Sequence, residues 1–304
     1  MYPQTEIKAS RMDVAGFAIR QSEPLMVEEL SAEQEAEVMA FLCERPNYTF
    51  GMAGFIRTNG LVSSQNRGSF YACRDKSGQL QGVALIGHYI LIETRTDAAI
   101  EAFAHLARNC RSAHMLLGEQ EQVETFWDHY ADGGQASRRY CRELLLEQSW
   151  PIVVRQAVPG LRLANLDDLD LVVPAHAQLA FDESGIDPLA ADPDGFRQRC
   201  ARRIEKGQTW VWVEEGRLMF KAEVITDTPE VVYLEGIWVD PAERGKGHGL
   251  RCMSQLSREL LKRTGSVCLL VNENFQAARR FYNKAGFKTV SYFDTIYLKA
   301  DRPN

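Results

Sequence analysis

The sequence is poor in the features that mark whole classes of protein. Its seven cysteines, at positions 43, 73, 110, 141, 200, 252 and 268, form no CxxC pair and are odd in number. That argues against a disulfide framework or a cysteine-based zinc site and for reduced thiols in a cytosolic protein. Positive charge is in deficit: 35 Lys and Arg stand against 41 Asp and Glu, a net charge of −6. The balance argues against nucleic acid or an anionic membrane as partner, while leaving room for a local basic site. No apolar run approaches the ~20 residues a membrane helix needs. The opening MYPQTEIKASRMD lacks the apolar stretch of a signal peptide, so a cytoplasmic location is the expectation. Low-complexity segments are lacking as well.

What the chain does have is length and an ordinary apolar share. At 304 residues and 45% apolar it is expected to fold as two domains. Its most informative stretch is VVYLEGIWVDPAERGKGHGLRCMSQLSRELLKRTG, residues 231–265. The first nine residues are rich in β-branched and aromatic side chains and predict a strand, which Asp240-Pro241 stops. Arg244, Gly245, Lys246, Gly247, His248 and Gly249 follow. Leu250, Met253, Leu256, Leu260 and Leu261 then recur at helical spacing, with Thr264-Gly265 as the expected C-terminal cap. A glycine-rich turn between a strand and a helix start is a phosphate cradle in physical terms. Glycine permits positive φ and close backbone approach, and the first helical N–H groups are unpaired and lie at the positive end of the helix dipole. Neither GxxxxGK[ST] nor GxGxxG is present.

The pattern R-x-x-G-x-G, spelled by Arg244, Gly247 and Gly249 after Ile237, Val239 and Pro241, resembles the acyl-CoA pyrophosphate loop of the GNAT acetyltransferase superfamily. A second segment, NENFQAARRFYNKAGF, resembles that family's other signature through Ala278, Tyr282, Gly286 and Phe287. It departs where the family keeps an asparagine: position 275 is Phe, and Asn274 stands one place earlier. The resemblance implies an α/β fold with a mixed sheet and acetyl-CoA as cosubstrate, with no metal. It implies transfer of an acetyl group to a primary amine of a small molecule or protein by direct attack. It also implies a backbone N–H within Ile237, Trp238 and Val239 directed at the thioester carbonyl, Glu235 as general base, and Tyr282 as the acid that protonates the leaving thiolate. Side-chain alternation would put Val231, Tyr233, Glu235 and Ile237 on one face of the strand. The structural alternatives are an ion pair with an arginine for Glu235 and a packing role for Tyr282.

Read in order, each half gives helix, hairpin, strand, helix, strand, helix, strand, so the chain is expected to be two tandem GNAT-like domains, 1–150 and 151–304. In the first half Ser31 caps a helix that Pro46 ends, and a second helix falls near 52–58. A hairpin follows over 69–87, and then a helix over 97–110. The segment corresponding to the cradle, IETRTDAAI, has no glycine, and it places Glu93 and Asp97 at the helix start, where they would cap the helix and repel a pyrophosphate. The first domain is therefore expected to lack CoA binding. His88, His105 and His114 match no metal motif. Phe126, Trp127 and Tyr130 read as packing residues, and Cys252 and Cys268 as buried thiols. In the second half a helix near Asp168 is expected to be interrupted at Pro174. The acidic loop around Phe181, Asp182 and Glu183 would either suit a cationic amine or serve as a solvated cap. A homodimer is compatible with the sequence. The reading from another class is a non-catalytic acyl-CoA sensor.

Overall fold

The structure, a computed structural model, describes residues 25–150 and 156–299. The opening residues and the first part of the expected linker lie outside these. The first half gives strand β1 (Met26–Glu29), helices α1 (Glu35–Cys43) and α2 (Pro46–Asn59), then β2 (Gly68–Arg74), β3 (Leu80–Gly87) and β4 (Tyr89–Thr94). Next come α3 (Asp97–Ala107), β5 (Met115–Glu119), α4 (Gln120–Ala131) and β6 (Ser137–Gln148). The second half repeats the plan: β7 (Leu161–Leu163), α5 (Leu169–Ser184), α6 (Pro188–Ala191), α7 (Pro193–Glu205), β8 (Thr209–Glu214), β9 (Arg217–Asp227) and β10 (Val231–Val239). It closes with α8 (His248–Leu260), β11 (Ser266–Asn272), α9 (Gln276–Lys284) and β12 (Lys288–Leu298).

Three local expectations change. Pro46 begins α2 instead of only closing the helix before it, because the missing N–H costs nothing in a first turn. Helix α5 runs through Pro174, held by the buried Val172, Val173, Ala175 and Ala177. Helix α8 ends at Leu260, short of Thr264. The Thr264 hydroxyl instead donates to the Thr228 carbonyl at 2.9 Å, fastening the turn before β11 to the start of β10.

The twelve strands of the described residues form one sheet, in the order β1-β2-β3-β4-β5-β12-β6-β11-β10-β9-β8-β7. The last strands of the two halves are exchanged. β12 lies against β5 of the first half, and β6 lies against β11 of the second. The two exchanged strands pair with each other at the centre. Helices α3 and α4 cover one face of the first half around Phe103 and Phe126, and α1 and α2 cover the other around Leu42 and Ile56. In the second half α8 and α9 cover one face, and α5 and α7 the other. Phe126 and Tyr130 are buried and Trp127 packs against them, as read from the sequence.

Helix α2 reaches across the junction. Phe50 stacks on Tyr233 of β10, with ring centroids 3.9 Å apart, and its carbonyl accepts from the Thr226 hydroxyl at 2.9 Å. Gly54 is required there, since a Cβ would overlap Thr226 Oγ1. The junction core is completed by Leu145, Val231, Cys268 and Phe293.

Candidate active site

Strands β10 and β11 run parallel and pair only from Val231↔Ser266 to Leu234↔Leu269. Beyond that point β10 pairs only with β9, and β11 only with β6. The two strands therefore splay, and among the described residues no hydrogen bond or ion pair bridges 235–239 to 270–272. A bulge marks the start of the splay. Glu235 pairs with Glu223 and Trp238 with Lys221, so Gly236 and Ile237 together oppose Ala222. Gly236 has φ +60°, a conformation that disfavours any side chain.

The bulge corrects the expectation that Ile237 shares the face of Glu235. The extra residue shifts the alternation by one. Val232, Leu234, Ile237 and Val239 all belong to the face covered by α8 and α9, while Trp238 packs towards α5 and α7.

Behind the bulge lies a buried charge network. Lys221, fully buried, donates from Nζ to the Gly236 carbonyl at 3.1 Å and lies 2.9 Å from Glu223 Oε1 and 3.2 Å from His176 Nδ1. Arg203 also pairs with Glu223. Burial alone would raise the Glu223 carboxyl, but Lys221 and Arg203 outweigh it and hold it well below the ordinary value. Burial pushes His176 down to about 3, so it is neutral at neutral pH.

Glu235 itself has no such partner. Its carboxylate accepts no hydrogen bond and enters no ion pair among the described residues, because the nearby Arg203 is bonded to Glu223. Burial raises its pKa, against the opposing pull of Arg203. Two further glutamates share its surroundings. Glu143 of β6 accepts from the Thr295 hydroxyl at 2.5 Å and is pushed up to about 7 by burial, with Glu235 and Asp294 adding to the rise. Glu183, in the last turn of α5, is raised by the crowding of its carboxyl away from water and then by Glu235 and Glu143. The residues expected as an acidic loop form the last turn of α5 instead: Asp182 takes a hydrogen bond from Gln178 one turn earlier on the helix surface, and Phe181 is exposed. Glu143 was not singled out from the sequence. It belongs to the first half and arrives only through the strand exchange, so no local pattern pointed to it.

The glycine turn connects β10 to α8 through residues 240–247. Gly245 and Gly247 have φ +79° and +84°, and a Cβ on either would meet nothing within 4 Å. They are needed for their backbone angles. Gly249 is needed for space: a Cβ there would lie 2.8 Å from Val239 Cγ2 and 3.3 Å from the Phe281 ring. Among the described residues the N–H groups of residues 245–249 donate no backbone hydrogen bond, as at the open N-terminus of a helix. Lys246 Nζ lies 2.9 Å from Glu243, His248 packs on Trp212 and accepts from Arg251, and Arg244 Nε donates to the Val239 carbonyl at 3.1 Å.

Across the splay, Tyr282 is buried on α9, with Phe281 and Phe287 edge-on to its ring. Burial, with a smaller push from Glu183, raises its phenol and keeps it protonated. Asn272 Oδ1 accepts from the Asn274 N–H at 3.0 Å, shaping the turn into α9, while the Asn274 side chain is exposed. Cys252 and Cys268 are fully buried, and burial raises both thiols.

The corresponding region of the first half is closed. Only Arg95 and Thr96 connect β4 to α3, and Thr96, not Glu93 or Asp97, caps that helix. β4 pairs with β3 without a bulge. Beyond Leu91↔Leu117 its splay from β5 is bridged. Arg45 reaches Glu93 on β4 at 3.2 Å and Glu119 on β5 at 2.6 Å, and Gln122 accepts from the Thr94 N–H at 3.0 Å.

The sequence profile of the acetyltransferase (GNAT) family matches residues 176–287. A Drosophila protein aligns over 90% of this chain and 98% of its own, at TM-score 0.67 and 12% identity. A tandem GNAT protein from the clavulanic acid biosynthesis pathway aligns over 92% of this chain and 100% of its own, at TM-score 0.57 and 14% identity. A GNAT-family acetyltransferase from Colwellia psychrerythraea gives TM-score 0.56 at 11% identity, covering 90% of this chain and 100% of its own. At these identities the likeness concerns the fold, which is that of a tandem GNAT protein. No curated protein matches the chain in sequence.

Proposed function

We propose that this protein, whose residues 176–287 match the profile of the GNAT acetyltransferase family, is an N-acetyltransferase moving an acetyl group from acetyl-CoA to a primary amine by direct attack. The observation that carries the reading is the open splay beside the Gly236 bulge, flanked by a glycine cradle at the start of α8. Residues 244–249 would hold the pyrophosphate through unpaired N–H groups and the helix dipole. Asn274 would meet the pantetheine arm, and the backbone within residues 237–239 would receive the thioester carbonyl. We read domain 1–150 as a partner without a cofactor site and 151–304 as the catalytic domain.

Transfer requires an ammonium to lose its proton, an oxyanion to be stabilised and a thiolate to be protonated. Glu235 has an unpaired carboxylate and a raised pKa, which suit a general base. The peptide N–H at the bulge would stabilise the oxyanion, and Tyr282 would return a proton to the thiolate. An acceptor that arrives as a cation would relieve the repulsion among Glu235, Glu143 and Glu183, so the cluster favours an ammonium.

Calorimetric titration of the purified chain with acetyl-CoA, beside Gly247→Asp, tests the cradle. One saturable site, lost in the variant, is expected. Absence of binding in the unaltered protein would overturn the reading, and two sites would overturn the assignment of the first domain. An amine panel then separates an enzyme from an acyl-CoA sensor, which would bind without turnover.

A further inference from the structure

We propose that Glu101, His105 and His129 form a site for a divalent first-row transition cation, best suited to zinc, on the outer side of the first half. Glu101 and His105 lie four residues apart on α3 and so share one helix face. His129 comes from α4. One ligand atom from each of the three lies within 4.8 Å of the other two, and the imidazole centroids are 6.1 Å apart with the rings nearly perpendicular.

The helix ends that carry the histidines are fixed relative to each other. Arg108 Nε donates to the His129 carbonyl at 3.1 Å, and beneath them Phe103, Val123 and Phe126 are fully buried between the helices. Both histidines stand in the last turns of their helices, where the helix dipole gives a negative potential that favours a cation. The Arg108 guanidinium opposes that potential, and the Glu101 carboxylate counters it.

Two imidazoles and one carboxylate select the metal class. Magnesium and calcium prefer an all-oxygen shell, whereas zinc takes nitrogen and carboxylate oxygen at about 2.0–2.2 Å in a tetrahedral set. Glu101 and His105 are exposed and His129 half-buried, so small rotamer changes can close the set while a fourth position stays open to water. A bound ion would staple α3 to α4 in the half that has no anion cradle. Spacing along the chain gave no sign of it, because the third ligand comes from a separate helix.

The test uses the full-length chain, stripped with a chelator and titrated with zinc chloride. The proposal predicts one saturable site, a rise in Tm on zinc addition, and at least tenfold weaker binding with no Tm rise in His105→Ala and His129→Ala. Both variants should melt like the parent without zinc. The partly buried thiols Cys43 and Cys110 are the competing ligands, so cobalt(II) is added as a second probe. A tetrahedral spectrum without thiolate charge-transfer bands supports the site. Thiolate bands, absence of saturable zinc binding, or unchanged affinity in both histidine variants would overturn it. None of these readouts depends on acetyl transfer.

Discussion

Lys221 Nζ donates to the Gly236 carbonyl at 3.1 Å, so a buried ammonium pins the peptide plane of the bulge in β10. In a trans peptide the C=O and the following N–H point in opposite directions. Fixing the Gly236 carbonyl therefore fixes the Ile237 N–H pointing away from Lys221. Replacing Lys221 by Met should lower stability by roughly 3 kcal/mol, because Glu223 keeps only Arg203 and His176 as partners in the core. Acetyl-CoA affinity should stay within about twofold, while turnover per folded molecule should fall about a hundredfold through misplacement of the bulge. Urea unfolding, calorimetry and initial rates measure the three quantities, and unchanged turnover would refute the positioning role.

Glu235→Gln should reduce kcat by about 10²- to 10⁴-fold without weakening acetyl-CoA binding. A base must be ionised to act, and burial raises this carboxyl. The unaltered enzyme should therefore gain activity as pH rises through the Glu235 pKa. A pH–rate profile that keeps this rising limb in the variant would assign the base elsewhere.

Glycines of the cradle should differ in kind. Gly249→Ala forces a methyl against Val239 and Phe281 and should cost about 1–3 kcal/mol of stability in thermal melts. Gly247→Ala meets no atom but must hold a positive φ, at about 1–2 kcal/mol. Its main effect should be weaker acetyl-CoA binding as the turn relaxes. Equal effects of the two changes on binding and melting would contradict this division.

Burial pushes the Glu143 carboxyl up to about 7 in the fold from an ordinary 4.5. A raised acid binds its proton more tightly when folded, so its contribution is full below about pH 4.5 and is lost as pH rises through 7. Glu143→Gln should therefore flatten the decline of stability between those pH values, by an amount on the order of 2 kcal/mol. Unfolding free energies across pH 4 to 8 provide the check. A parallel decline in both proteins would mean that Glu143 ionises normally.

Residues 151–304 expressed alone should aggregate, because β11 loses six paired residues of β6 and β12 loses both neighbours. An open strand of that length is a template for association. Co-expression with residues 1–150 should restore a soluble complex. A soluble, folded isolated fragment, followed by size exclusion and circular dichroism, would show that the exchange is dispensable.

The sequence alone determined what is local. Glycines at 245, 247 and 249 between a β-branched strand and an amphipathic helix define the turn into α8, and the segment after Glu93, which has no glycine, makes a shorter connection into α3. These depend on backbone angles and helix ends, which a few neighbouring residues set. Tertiary structure decided what depends on residues distant in the chain. The bulge arises from how β10 meets β9 and is held by Lys221, so strict alternation misplaced Ile237. Glu143 reaches Glu235 because β6 and β12 change places, and His129 meets His105 because α3 and α4 pack side by side. Strand partners and helix neighbours are chosen by the burial of whole apolar faces, and no short window of sequence contains both sides of such a contact.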